Sequence, residues 1–136
     1  MANISTRLIV SGQAITSDPL HVDYAKTSGV TLPTVETAGM DIAASGTVTV
    51  FSTPATTPTR TFFYIKNTGV VGQNFIEVKF QLPCGETESP VATDFVIARL
   101  ERDEFLYLPL APAITVKASS SAAGTARIEY GYFSAS

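Results

Sequence analysis

Residues 60–82 constrain the fold more than any other stretch of this chain. They read RTFFYIKN, then TGVVGQ, then NFIEVKFQL. Apolar and polar side chains alternate in the two outer segments, and the loop between them carries Gly69 and Gly72. Alternation with period two sends one side of each run toward a core and the other away from it. Two such runs around a Gly-containing loop are the pattern of a β-hairpin. The spacing predicts Phe63, Ile65, Ile76, Val78 and Phe80 as the inward set. Phe62, Tyr64 and Lys66 fall on the opposite face, which is too apolar for a plain solvent face. That face is expected to meet another subunit, or a second sheet if the two faces are exchanged.

Runs of the same kind recur. Residues 5–16, 46–53, 93–100, 105–110, 113–119 and 125–133 each read as a strand, bounded by Gly, Pro, Ser or charged turns. Pro109 confines residues 105–110 to an edge or a strand end, because proline has no N–H to give a ladder. The Thr-rich segment 53–59 holds two prolines and reads as an extended connection. Residues 20–40 are the least regular, punctuated by Gly29, Pro33 and Gly39. They are expected to be mostly loop, with a short strand near 30–35, forming an arm that lies over the body or reaches a neighbour. No segment carries a convincing helical period. The expectation is an all-β chain: a two-sheet antiparallel sandwich, jelly-roll-like, with about eight strands and an extended N-terminal arm or loop. At 136 residues it reads as one domain, 1–136, with 1–45 peripheral and 46–136 the core sandwich.

A chain of this length buries roughly two-thirds of its unfolded surface, enough for a core without staples. Charged residues make up 15%, against ~25% in a typical domain, and Thr and Ser replace them. A surface so thinly charged suits one that another molecule covers. The net charge is −3 and no Lys/Arg cluster occurs, which argues against a phosphate-tracking nucleic-acid surface. The one cysteine, Cys84, rules out an intrachain disulfide and fits folding in a reducing cytoplasm. The N-terminal run Leu8-Ile9-Val10 is too short for a signal peptide, and no apolar stretch nears ~20 residues, so neither export nor a membrane helix is expected.

Residues able to do chemistry are few and scattered. His21 stands alone beside Asp23, whereas a metal site draws on three or more ligands. Cys84, between Pro83 and Gly85, has no helix N-terminus or second histidine to activate it. Glu101, Arg102, Asp103 and Glu104 crowd a turn, but adjacent positions fix no carboxylate separation for acid–base work, and the spacing of a calcium loop is missing. No phosphate-binding glycine loop or nucleophile elbow occurs. The expectation is a non-enzymatic protein with no catalytic residues, metal ligands or cofactor. Its working residues are then exposed strand aromatics, with one lysine beside them, that form an interface: Phe62, Tyr64 and Tyr107, with Lys66.

Three segments carry a resemblance. They are FFYIKNTG, a strand ending in Asn and a Gly turn; the charged turn Glu101-Arg102-Asp103-Glu104 feeding FLYLPLAP; and ITVKASSSAAGTARIEYGYF near the end of the chain. Their succession, from residue 59 onward, resembles small β-sandwich virion proteins of tailed bacteriophages. Arg102-Asp103-Glu104 stands where such proteins often carry Pro-Gly-Glu. The resemblance implies a capsid decoration or cement protein that binds and stabilises the phage head shell. Its partners would be the major capsid protein or other virion proteins, and it would be a homo-oligomer, with a trimer favoured. It would be assembled in the host cytoplasm and located in the virion, without nucleic acid or membrane contact. The alternatives are a tail or fibre component, or a carbohydrate- or receptor-binding sandwich module.

Overall fold

The computed structural model describes residues 2–12, 20–32, 38–53, 60–69, 75–81, 94–120 and 124–135. These residues form ten strands: β1 (Ala2–Gly12), β2 (Leu20–Leu32), β3 (Ala38–Ile42), β4 (Thr47–Ser52), β5 (Thr61–Asn67), β6 (Ile76–Gln81), β7 (Asp94–Leu100), β8 (Phe105–Leu110), β9 (Thr115–Ser120) and β10 (Ala126–Ala135). The all-β expectation holds. β10 lies between β5 on one side and β2 and β3 on the other, giving the order β1-β2-β10-β5-β8; the second sheet has the order β4-β9-β6-β7. Without β1 and β2, the sandwich is β3-β10-β5-β8 facing β4-β9-β6-β7, the eight-strand jelly-roll arrangement.

The two runs of residues 60–82 are strands, but they do not pair with each other. β5 pairs with β10 and β8, and β6 pairs with β7 and β9. The chain therefore crosses from one sheet to the other after Gly69, and the hairpin expected here is replaced by a crossover. Phe63, Ile65, Ile76 and Val78 are nonetheless fully buried, with Phe80 packed against them. Two strands facing across a sandwich point their inner sides at the same core, as the arms of one hairpin also do, so the inward set is the same under either pairing.

The expected loop over residues 20–40 is also corrected. Residues 20–32 form β2, which pairs with β1 without a break from Ala2↔Val30 to Gly12↔Leu20, and residues 38–42 form β3. Most described side chains of β2 are exposed, so no burial pattern marks the strand in the sequence. It is held by main-chain pairing, which leaves no hydropathy signature. β3 belongs to the sandwich: Ile42 is fully buried and β3 pairs with β10 from Ala126↔Ile42 to Tyr130↔Ala38. The part of the N-terminal region that stands off the sandwich is thus the β1–β2 ribbon. It joins the body through two residue pairs, Ser134↔Leu32 and Ala135↔Val30.

Turns are fixed by a few polar side chains. Asn67, buried at the end of β5, donates from Nδ2 to the Leu100 carbonyl at 3.0 Å, and its main chain exchanges bonds with Asp103 and Glu104. The 101–104 turn that carries the chain from β7 to β8 is held there. Buried Thr53 accepts from the Ile114 N–H at 2.7 Å through Oγ1 and so pins the turn between β8 and β9. Cys84, Gly72, Asp18-Pro19 and the 54–59 part of the Thr-rich connection lie outside the described residues.

Candidate binding face and cleft

Side chains on the outer side of β5 and β8 form a ladder of rings. Direct cross-strand partners are Phe62↔Pro109, Tyr64↔Tyr107 and Lys66↔Phe105. The rings meet on the diagonal: Phe62 stacks with Tyr107 (centroids 5.9 Å apart, planes 8° apart), and Tyr64 tilts against Phe105 at 6.3 Å. Diagonal neighbours in an antiparallel pair lie within reach of long aromatic side chains. Phe62, Tyr64, Lys66 and Tyr107 therefore share one face. Lys66 sits 3.8 Å from Asp103 on the β7–β8 turn.

The two ends of this ladder differ. At one end Phe62 is only 7% exposed, with Tyr107 stacked beside it and the Arg60 guanidinium over its ring, and the ribbon lies across the cleft from it. Thr6 Oγ1 of β1 donates to the Tyr107 hydroxyl at 3.0 Å. Between ribbon and sheet runs a cleft of about 480 Å³. The ribbon contributes Thr6, Leu8, Tyr24, Lys26 and Ser28, and the body contributes Arg60, Phe62, Tyr107 and Pro109. The other end of the ladder is open, with Phe105 62% exposed. Sequence reasoning placed the body half of this face but missed the ribbon half. Nothing local in residues 6–8 or 24–28 signals that they face β5 and β8, although Thr6↔Lys26 and Leu8↔Tyr24 become direct partners once the β1–β2 register is set.

Burial, with a smaller push from the charge of Glu129, raises the Tyr64 phenol above its ordinary value of 10.0. The neutral phenol is the form the fold favours. Its contribution to stability is therefore intact below pH 10 and is lost as pH rises through the higher folded value. Ultraviolet difference titration should show a tyrosine phase above the ordinary value of 10.0, and Tyr64→Phe should remove it.

The scattered polar candidates find ordinary partners. His21 is exposed on β2, opposite Ser11. Its neighbour Asp23 takes two bonds from Arg7, at 2.9 and 2.6 Å, and this pairing lowers the Asp23 carboxyl below its usual range. In the acidic turn, Glu104 Oε2 accepts from the Glu101 N–H, Glu101 pairs with Arg99, and Asp103 lies near Lys66 and Arg102. Among the described residues, no three His, Cys, Asp or Glu side chains gather as a metal-binding group, and no helix is long and apolar enough to cross a membrane.

Two further apolar surfaces are open. Beyond the cleft-lining Leu8 and Tyr24, the latter 73% exposed, the ribbon presents Ile9 and Val10. On the sandwich, β7 is an edge strand among the described residues and exposes Phe95, Val96 and Ile97 in succession, Val96 at 56%. The opposite sheet's edge, β8, is blunted by Pro109; the middle of β7 carries no proline or charge to do the same.

No protein-family model matches the sequence, and no curated protein matches it. Among solved structures, the chain is similar to the cupin domain of Schizosaccharomyces pombe Cnp3, at 13% identity and a TM-score of 0.42, over 94% of this chain and 87% of that one.

Proposed function

We propose that the protein is a non-enzymatic structural subunit that works by attaching to other protein chains. Its setting is the outside of a bacteriophage head, as a decoration or cement protein. The observation that carries this reading is the ribbon. Strands of 11 and 13 residues extend past the sandwich, tied to it by two residue pairs and the Thr6–Tyr107 hydrogen bond, with Ile9 and Val10 exposed outside the cleft. A two-stranded ribbon is marginal in water unless an apolar face is covered. An arm of this kind gains its stability by lying on another molecule. The open edge of β7 offers the second half of such an assembly, since an unblunted apolar edge invites strand addition. The bacteriophage setting comes from the resemblance of residues 59–136. The jelly roll itself does not select it, being shared by capsid proteins, lectins and cupins.

The purified protein should self-associate, with a trimer as the expected order, and should bind assembled head shells. Sedimentation velocity over a concentration series and co-sedimentation with shells measure the two. Val96→Lys, a surface change worth within about 0.5 kcal/mol of fold stability, should weaken association while leaving thermal unfolding in place. A protein that stays monomeric at high concentration and leaves shells bare would end this reading.

A further inference from the structure

We infer that the cleft between the ribbon and the β5–β8 face is a binding site for a small amphipathic carboxylate, a medium-chain acyl or aryl acid. The chain has nine lysines and arginines. Seven of them lie within ion-pair distance of a carboxylate. Among the described residues, the two that have no such partner are Lys26 and Arg60, and both line this one cleft. They approach it from different elements, Lys26 from β2 and Arg60 from the segment entering β5. In a protein of net charge −3, this leaves two cations at one cleft with no carboxylate partner, the Arg60 guanidinium lying 6.0 Å from the centroid of the Phe62 ring.

The rest of the lining defines the other half of the ligand. Leu8, Phe62 and Pro109 and the ring of Tyr107 give apolar walls, and the cleft has the size of ordinary small-molecule sites. Thr6 donates its hydroxyl hydrogen to Tyr107, so the Tyr107 hydroxyl keeps its own hydrogen to donate. A carboxylate is an acceptor at both oxygens and takes such a donor together with the two cations. Inorganic phosphate would leave the apolar walls unused, a neutral apolar molecule would leave the cations unanswered, and an amine would be repelled by them.

The test titrates octanoate, octanol and octylamine into the full-length, isotope-labelled protein and follows its amide resonances. Octanoate should bind saturably, with shifts clustered at residues 6–8, 24–28, 60–62 and 107–109. Octanol should bind roughly fivefold more weakly, the contribution expected of solvated ion pairs. The double variant Lys26→Gln, Arg60→Gln should bring octanoate down to the affinity of octanol and leave octanol unchanged. Both side chains are exposed, so the variant should keep its fold, and an unchanged spectrum away from the cleft checks this. Octanol binding as tightly as octanoate, octylamine binding as tightly, shifts centred elsewhere, or no saturation would each overturn the assignment. The inference stands apart from the assembly role, because Val96→Lys, which leaves the cleft untouched, should bind octanoate as the parent does.

Discussion

Replacing Phe63 with alanine should lower the unfolding free energy by about 3–5 kcal/mol, the range for deleting a fully buried aromatic ring. Phe63 is fully buried on the inner side of β5, stacked 6.2 Å from Phe51, which in turn lies 4.0 Å from the ring of Tyr132. These three rings come from β5, β4 and β10, so they tie one sheet to the other. The gap left by alanine has little means of closing. β5 is laddered to β10 on one side and β8 on the other, and the backbone cannot sink into the core without breaking pairs on both. The neighbouring change, Phe62→Ala, should cost clearly less, because Phe62 lies on the outer face and borders the cleft rather than the closed core. Denaturant unfolding of both variants measures the difference. Equal losses would mean that the outer face packs as tightly as the inner one, and that the ribbon is part of the core. Phe63→Leu, which keeps an apolar side chain and a good part of the volume, should recover most of the loss.

The contrast between Phe62 and Phe63 also shows what a period-two pattern can and cannot say. Alternation identified both runs of residues 60–82 as strands and chose the correct inner side, because burial is written into which residues are apolar. It carried no information about which strand lies beside which. β5 and β6 read as a hairpin since they are neighbours in sequence, yet each finds its ladder partners far along the chain, β5 at β8 and β10, β6 at β7 and β9. Jelly-roll pairing is mostly non-local, so sequence adjacency misleads there. β2 failed for the opposite reason: it is a long strand with a regular register but little burial, and a strand that buries little has no apolar rhythm to read. The face bearing Phe62, Tyr64, Lys66 and Tyr107 was legible because its apolar excess broke the alternation. Lys26 and Arg60 were not legible, because what distinguishes them is the lack of a carboxylate nearby, a property of the folded arrangement and not of any local motif.

Removing residues 1–32 should abolish self-association and shell binding while shifting the thermal midpoint by only a few degrees. Removing residues 1–42 should unfold the protein. The first truncation takes away the ribbon, whose links to the body are two strand pairs and the Thr6–Tyr107 hydrogen bond, and it keeps all eight sandwich strands. A loss of about 1–2 kcal/mol, from a few partly exposed hydrogen bonds, moves the midpoint of a domain this size by several degrees. Uncovering Phe62 and Tyr107 adds exposed apolar surface, but no buried polar group is orphaned. The second truncation also removes β3. It deletes fully buried Ile42 and strips β10 of its five-pair ladder with residues 38–42. Losing a buried isoleucine alone costs about 2–5 kcal/mol, and a domain holds only about 5–15 in total. Circular dichroism on heating separates the two outcomes, and sedimentation with and without head shells reads the function. If the 33–136 chain melted like the 43–136 chain, the ribbon would be a strand pair on which the fold depends. If it kept both its fold and its shell binding, attachment would have to run through the open β7 edge, and Val96→Lys in that shortened chain would then decide it.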